Sequence, residues 1–127
     1  MAYRFQKHYT REEARALLVP VREWLRQVAH LRGQLEKSDQ RLSGLMLPGC
    51  DVGGESVNTW VRTMTGLDTV LREFQQREIQ IKDLDRGLID FPAIIGGTEV
   101  FLCWEQGEED IEFWHELDTG YAARERL

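Results

Sequence analysis

The hydrophobic residues of the first eighty positions recur every seven residues, in the pattern of a coiled-coil helix. Thr10 and Glu13 precede this repeat with the spacing of a capping box, so a helix is predicted over residues 10–45. Pro20 removes a backbone donor and predicts either a kink about one turn upstream or a later start of the helix. The stripe is apolar at every position except Ser38 and has two series: Ala14, Val21, Val28, Leu35 and Leu42, then Leu17, Trp24, Leu31, Ser38 and Leu45.

A second helix with the same repeat follows a loop. Residues 46–55 contain a proline and several glycines, which is typical of a loop. The repeat then resumes and predicts a helix over residues 56–78, with Ser56 as its N-cap. Its two apolar series are Val57, Met64 and Leu71, and Trp60, Leu67, Phe74 and Ile81. Two such helices joined by a short loop predict an antiparallel, coiled-coil-like hairpin.

After Gln80 the hydrophobic period changes from 3.5 to 2, which is typical of β-strands. This pattern predicts an antiparallel meander of three to four strands over residues 79–118, with residues 119–127 as a tail. Gly96-Gly97 gives a two-residue hairpin signal, and Pro92 predicts an edge or a bulge in its own strand. The strand segments are Leu88–Ile95, Glu99–Glu105 and Ile111–Leu117, with a short leading strand at Ile79, Ile81 and Leu84.

These elements together predict a single α+β domain over residues 1–127. At 1.5 Å per residue the first helix would be about 50 Å long and the second about 35 Å long. The excess of the first helix, around residues 11–24, therefore needs another surface on which to bury its stripe. We expect one face of the sheet to supply that surface.

The hairpin registers bring three chemically interesting side chains to one face of the sheet. If Gly96-Gly97 forms a two-residue turn, Asp90 lies opposite Cys103. If the next hairpin pairs Glu105 with Ile111, then Phe101 lies opposite His115. His115 is then diagonal to Cys103, at the ~7–8 Å backbone separation of diagonal neighbours. A carboxylate, a thiol and an imidazole are therefore expected on one patch.

Composition excludes several classes of partner. The chain has 16 basic and 22 acidic residues, and its net charge of −6 argues against a nucleic-acid partner. No apolar run approaches the ~20 residues of a membrane helix, so no membrane partner is expected. The first residues lack the apolar core of a signal peptide, which predicts a cytoplasmic protein. Cys50 and Cys103 have neither the spacing of metal ligands nor that of a disulfide framework.

Several segments combine rare residues into recognisable motifs. They are Tyr9–Leu18, Lys82–Ala93, Leu102-Cys103-Trp104, Gly107-Glu108 and Trp114–Gly120. Together they resemble the bacterial domain-of-unknown-function 2203 family over almost the whole chain. The family commonly has a glycine where this chain reads Arg77-Glu78-Ile79, and it usually has a glycine and a proline where this chain has Ala123 and Arg126. The resemblance implies no established activity, so it carries over no catalytic residue.

Asp90, Cys103 and His115 allow three interpretations. A cysteine beside a histidine and a carboxylate is the pattern of a thiol nucleophile. Nitrogen and oxygen ligands for a divalent metal are offered by His115 and Asp118, with Glu116 or Asp85 as a further ligand. The third interpretation is a core histidine bonded to Asp90 beside a buried thiol, and it is favoured because the sequence has no recognisable oxyanion loop.

Trp104 and Trp114 fall on the opposite face from Cys103 and His115. An aromatic pair of this kind forms either a surface platform for a peptide or ligand, or part of the core beneath the helices. The core interpretation is favoured, because large aromatic side chains most often supply buried area.

Two functions from different classes follow. The first is a non-enzymatic interaction or scaffold module that forms a homodimer through its helices and presents the hairpin or sheet to an unidentified protein partner. The second is a small metal- or ligand-binding domain, with hydrolytic chemistry, at Asp90, Cys103, His115 and Asp118. Beyond a divalent metal, no cofactor is expected. The heptad repeat favours the first function because it is a device for contact between helices.

Overall fold

The computed structural model of the protein describes residues 2–45 and 54–127. The chain forms two compact units. We call them the sheet unit, residues Met1–Arg22 and Phe74–Leu127, and the helical unit, residues Glu23–Glu73. Most of the predicted loop at 46–55 lies outside the described residues. No helix of the described ranges combines the length and the apolar character needed to cross a membrane.

The first predicted helix is divided into two. Helix α1 covers Arg11–Ala16 and helix α2 covers Leu18–Leu45, with Leu17 between them. Pro20 explains the break, because it has no N–H to offer to the carbonyl group of Ala16, four residues earlier. The predicted continuous helix over 10–45 is therefore wrong in this one place, while the predicted position of the kink is correct.

The start of α1 is the predicted capping box. The Thr10 hydroxyl accepts a hydrogen bond from the Glu13 backbone N–H at 3.1 Å. In return, the Thr10 backbone N–H donates to the Glu13 carboxylate at 3.0 Å. Two of the unpaired donors at the helix start are thereby satisfied.

In the helical unit, α2 packs against helix α3, which covers Gly54–Gln76. The Trp60 indole N–H donates to the Asp39 carboxylate at 2.7 Å. Farther along, a Cβ atom added to Gly66 would lie 3.6 Å from the Leu31 side chain. Trp60 of α3 therefore lies beside Asp39 of α2, and Gly66, which comes later in α3, lies beside Leu31, which comes earlier in α2. This order shows that the two helices are antiparallel. The predicted helical hairpin is confirmed.

The buried face of α3, which we call its seam, is displaced by one residue from one of the two predicted apolar series. Val57 and Met64 are each 39% exposed, whereas Thr63 is 7% exposed and Val70 is 9% exposed. Thr63 tolerates burial because its hydroxyl donates to the backbone carbonyl of Thr59 at 2.9 Å. The start of α3 was also predicted too late, and Ser56 lies inside the helix.

Five antiparallel strands form the sheet, in the order of the chain. They are β1 Gln80–Asp83, β2 Leu88–Ile95, β3 Thr98–Glu105, β4 Phe113–Glu116 and β5 Glu125–Arg126. The α+β class is confirmed, with five strands instead of the predicted three to four. The fifth strand arises because residues 119–127, predicted as a tail, turn through a 3₁₀ helix at Tyr121–Ala123 and pair with β4.

One face of the sheet packs on the first residues of the helices, as the excess length of the first helix predicted. The ring of Tyr9 lies 5.5 Å from that of Phe91, and the Arg22 guanidinium lies 5.6 Å from the Trp104 ring. The fully buried side chains of this face are Ile89, Phe91, Ala93, Val100, Leu102 and Trp104. The residues before Glu23 therefore belong to the core of the sheet unit.

The prediction for Pro92 is correct only locally. Its strand, β2, lies between β1 and β3 in the sheet, and the irregular pairing lies between Ile81 and Asp83, but at Pro92 itself β2 pairs with β3 alone. The pairing with β1 ends at Asp90, so Pro92 withholds no N–H from that ladder. Its carbonyl accepts a hydrogen bond from the Tyr9 backbone N–H at 2.7 Å.

Residues 4–9, which we call the strap, are held by two carboxylates. Glu99 accepts hydrogen bonds from the backbone N–H groups of Arg4 and Phe5 at 2.8 and 3.0 Å, and it lies 2.7 Å from the His8 ring. Glu78 accepts from the backbone N–H groups of Gln6 and Lys7 at 3.0 and 2.8 Å. The strap is thereby fixed to the junction between α3 and β1 and to β3.

Glu78 has a φ angle of 57°, and among the described residues it is the only non-glycine residue with positive φ. This conformation suits glycine and strains other residues. The glycine that the family resemblance led us to expect in this segment would adopt such a φ angle without strain. Here the strained residue contributes a carboxylate that holds the strap.

Candidate functional site

Asp90, Cys103 and His115 meet on the face of the sheet opposite the helices, and we call them the polar cluster. Asp90 pairs with Cys103, and Phe101 pairs with His115, in the registers predicted from the hairpins. An oxygen of Asp90, the sulfur of Cys103 and a ring nitrogen of His115 all lie within 4.8 Å of one another. None of the three residues is more than 3% exposed.

The imidazole of His115 is oriented by two hydrogen bonds. Its Nδ1 lies 2.7 Å from the backbone carbonyl oxygen of Glu116, and its Nε2 lies 2.8 Å from Oδ2 of Asp90. A carbonyl oxygen only accepts, so Nδ1 carries a hydrogen. Nε2 and the Asp90 carboxyl group therefore share one further proton, which lies on one or the other.

Asp90 lies in an environment that disfavours its charge. Burial raises the pKa of Asp90 above its usual range, although His115, the nearby Cys103 thiol and Lys82 act in the opposite direction. Its Oδ1 has no partner of good hydrogen-bond geometry among the residues that the structure describes, and the neighbouring Cys103 thiol is only a weak donor to this carboxylate. A buried acceptor without a partner carries a desolvation cost, and it therefore calls for an explanation.

Cys103 is a buried free thiol. Burial and the neighbouring Asp90 raise the pKa of the Cys103 thiol to about 12, while Arg124 acts against this shift. The thiol is therefore protonated at neutral pH, and a thiol nucleophile reacts as the thiolate. This geometry does not support the interpretation of the cluster as a thiol nucleophile.

Arg124 adjoins the cluster and was missed by the sequence reasoning. Its guanidinium pairs with the Glu108 carboxylate at 2.8 Å and lies 3.9 Å from the centre of the Phe113 ring and 4.1 Å from that of Tyr121. Residues 119–127 have no strand pattern, so no local signal predicts that Arg124 returns to the sheet. Lys82 was missed as well, and its ammonium group lies 4.7 Å from the Phe101 ring centre.

The other predicted metal ligands lie elsewhere. The Asp118 side chain is 87% exposed and pairs with Arg4 at 3.0 Å. Asp85 lies in the exposed turn between β1 and β2. Neither carboxylate belongs to the polar cluster, because each lies beyond the end of its strand.

The two tryptophans have different surroundings. Trp104 is fully buried, and its indole N–H donates to the Glu108 carbonyl oxygen at 2.9 Å, so it does not form a surface platform. Trp114 is partly buried and lines a surface pocket of about 220 Å³. The other residues of the pocket are His115, Glu116, Thr119, Ala123 and Glu125. One edge of the polar cluster therefore borders an open space.

A second candidate site lies on the helical unit. Val57, Val61 and Met64 are 39, 47 and 39% exposed, and their spacing places them on one side of α3. We call these three residues the α3 stripe. Asp68, one turn farther on the same side, pairs with Arg72 at 2.8 Å and gives the stripe a polar boundary.

The chain belongs to the family described as "Uncharacterized conserved protein (DUF2203)", whose sequence profile matches residues 7–127. This match confirms the resemblance given by the motifs. Comparison with curated proteins and with solved structures gives no match. The family description assigns no activity, so any function must be argued from the geometry of this chain.

Proposed function

We propose that the protein is a non-enzymatic interaction module that forms a homodimer through its helical unit. The observation that carries this proposal is the α3 stripe, which holds three large apolar side chains on the surface of a helix. Apolar patches of this kind on a monomer are typical of interaction sites.

The stripe is part of a wider apolar surface. At 100° per residue, Trp60, Leu67 and Leu71 lie on α3 between the α3 stripe and the buried seam, and all three are only partly buried. Three side chains alone would not provide the roughly 800 Å² per partner that a specific interface requires. The partly buried residues supply the additional area.

The helical unit has little core of its own. In α2 the corresponding residues Leu31, Leu35 and Leu42 are also only partly buried. A pair of helices can shield only one side of each stripe, whereas four helices enclose a common core. A second copy of the hairpin would complete such a bundle.

Charge and symmetry favour a second copy as the partner. The helical unit carries six basic and seven acidic residues, so most of the net charge of −6 lies in the sheet unit. Two nearly neutral hairpins approach each other without strong repulsion. An apolar surface is complementary to itself, as a two-fold interface requires.

The test is the molar mass of the full chain in solution. We expect a dimer at micromolar concentration by light scattering or sedimentation equilibrium. Val61→Glu places a charge in the centre of the α3 stripe, and we expect it to give a monomer with unchanged helical content by circular dichroism. The matched control is Val19→Glu, because Val19 is 74% exposed and lies outside the stripe. This control should remain dimeric.

A monomeric wild-type protein throughout this concentration range would show that the proposal is wrong. A dimer that persists in Val61→Glu would place the interface elsewhere and would also contradict it. Loss of the dimer in both variants would show that any added charge disrupts association. The result would then no longer support the α3 stripe as the dimer interface.

A further inference from the structure

We propose that the polar cluster is a binding site for a divalent transition-metal ion of the zinc class. Its ligands would be the sulfur of Cys103, Oδ1 of Asp90 and Nε2 of His115. Thiolate, imidazole and carboxylate groups are the ligands that zinc takes in proteins. Within residues 2–45 and 54–127, this is the only group of at least three histidine, cysteine or acidic side chains that meets so closely.

The distances are close to those of a metal site. Zinc lies about 2.0–2.3 Å from nitrogen, oxygen and sulfur ligands, so two ligands of a tetrahedral site are roughly 3.5 Å apart. One carboxylate oxygen of Asp90, the sulfur of Cys103 and one ring nitrogen of His115 lie within 4.8 Å of one another. Closing them around an ion requires shifts of about 1 Å, which side-chain rotation can provide.

The unpartnered oxygen of Asp90 is the observation that points to a ligand. Asp90 is 0% exposed, and its Oδ1 accepts no hydrogen bond from the described part of the chain. A buried carboxylate normally has its oxygens hydrogen-bonded or bound to a metal. An ion in the cluster would satisfy Oδ1 without any change in the backbone.

The orientation of His115 also suits a metal ligand. Nδ1 donates to the Glu116 carbonyl oxygen at 2.7 Å, which fixes the ring and directs Nε2 into the cluster. Metal-binding histidines typically use their other ring nitrogen in this way. Asp90 now occupies the position in front of Nε2, so metal binding would exchange this hydrogen bond for two coordination bonds.

Charge balance makes the exchange feasible in a buried site. Without metal the cluster holds two displaceable protons, one on the Cys103 thiol and one shared by Asp90 and His115. A divalent ion would replace both, so the net charge of the cluster would not change. The nearby cations Arg124 and Lys82 oppose the ion, but Arg124 is paired with Glu108.

The low exposure of the cluster gives such an ion a structural role. A hydrolytic metal must be reached by its substrate, and the three ligand residues are at most 3% exposed. The pocket of about 220 Å³ beside β4 has His115 in its lining, so the cluster lies next to solvent.

The experiment uses the full chain, freed of metal with a chelator and then titrated with Zn²⁺ and with Co²⁺. We expect one equivalent of Zn²⁺ per chain by elemental analysis after dialysis. With Co²⁺ we expect a thiolate-to-cobalt charge-transfer band, which reports directly on Cys103. Zn²⁺ binding should also release about two protons near neutral pH.

Two variants and a control locate the ion. Cys103→Ala should abolish the cobalt band, and Asp90→Asn, which preserves the shape of the side chain, should weaken Zn²⁺ binding by more than about tenfold. Asp118→Asn is the matched control, because it removes an exposed carboxylate near β4 without touching the cluster. Its zinc affinity should equal that of the wild type.

Absence of stoichiometric Zn²⁺ from the wild-type protein would overturn the proposal. A cobalt complex without the thiolate band would overturn it as well, and this result needs no variant. If Asp90→Asn and the control bind Zn²⁺ equally well, the ion lies outside the cluster. The Asp90–His115 pair would then be a neutral, proton-sharing element of the core.

Discussion

The sheet unit and the helical unit are built with very different amounts of core. The sheet unit buries large side chains completely: Phe91, Phe101, Trp104, Ile89 and Ile111 are at most 1% exposed. In the helical unit the most buried side chains are smaller: Leu25, Val28, Thr63 and Val70, at 1–9% exposed. Burial of large apolar groups is the main source of stability. The main source of stability therefore lies in the sheet unit, and the thinner core of the helical unit agrees with the proposed dimer.

The polar contacts of the two units differ in burial in the same way as their cores. The Asp90–His115 pair of the sheet unit is buried, with side chains 1 and 2% exposed. In the helical unit, the bond between Trp60 and Asp39 is exposed. Exposed polar contacts contribute little net stability, since water competes for both groups. Polar groups therefore do not compensate for the thin core of the hairpin.

The largest expected effect is loss of the core of the sheet unit. Trp104→Ala removes a fully buried ring and its hydrogen bond to the Glu108 carbonyl, so we expect a loss of about 3–5 kcal/mol in unfolding free energy. The partly buried Trp60 is the matched residue of the helical unit, and Trp60→Ala should cost about 1–2 kcal/mol. Urea unfolding of both variants measures the difference, and equal losses would refute the contrast between the units.

The sequence predicted most of the sheet, because its pairing is local. Gly96-Gly97 set the β2–β3 turn, and the register then fixed which side chains share a face. Asp90, Cys103 and His115 could therefore be brought together without any knowledge of tertiary contacts. Whether they form a binding site could not be predicted, because that depends on Asp90 Oδ1 and on the proton between Asp90 and His115.

Contacts between distant parts of the chain were not predictable. The strap bonds of Glu78 and Glu99 join residues that no local pattern links. The prediction that Met64 lies in the buried seam was wrong for a related reason. The heptad pattern does not say which of two adjacent apolar faces of α3 meets the partner helix. Thr63 lies in the seam only because its hydroxyl bonds within its own helix.

A smaller loss of stability is expected when the strap of the sheet unit is weakened, and this loss should depend on pH. Burial raises the pKa of Glu99, but hydrogen bonds from His8 and from two backbone N–H groups outweigh this and hold the pKa below the ordinary value of about 4.5. The folded state therefore binds fewer protons, and this contribution is complete above pH 4.5 and is lost as the pH falls through the folded pKa. Glu99→Gln should cost about 1–3 kcal/mol at pH 7.

Thermal unfolding of the wild type and Glu99→Gln from pH 7 to pH 3 measures this effect. The difference between the two proteins should shrink as the pH falls below 4.5 and disappear under strongly acidic conditions. A difference that is independent of pH would mean that the Glu99 charge does not hold the strap.

The smallest effect should be a gain of stability in the helical unit. Gly66 lies inside α3, and a Cβ atom would meet Leu31 at 3.6 Å, an ordinary van der Waals distance. Gly66→Ala should therefore stabilise the protein by about 0.5–1 kcal/mol through helix propensity and the added contact. Gly33→Ala, with nothing within 4 Å, measures propensity alone in a thermal unfolding experiment. Destabilisation by Gly66→Ala would mean that the helices approach more closely than described.

The strap also has a consequence for the order of folding. Its bonds join residues separated by 68 to 114 positions, whereas the Trp60–Asp39 bond of the hairpin spans 21. Distant pairings close slowly, so the hairpin should assemble well before the strap docks. On the ribosome, Phe5 emerges almost a hundred residues ahead of Phe101, the ring on which it packs. This early-made part of the sheet unit is thus among the last to reach its final place, and Phe5 would stay exposed in the nascent chain until Phe101 has been made.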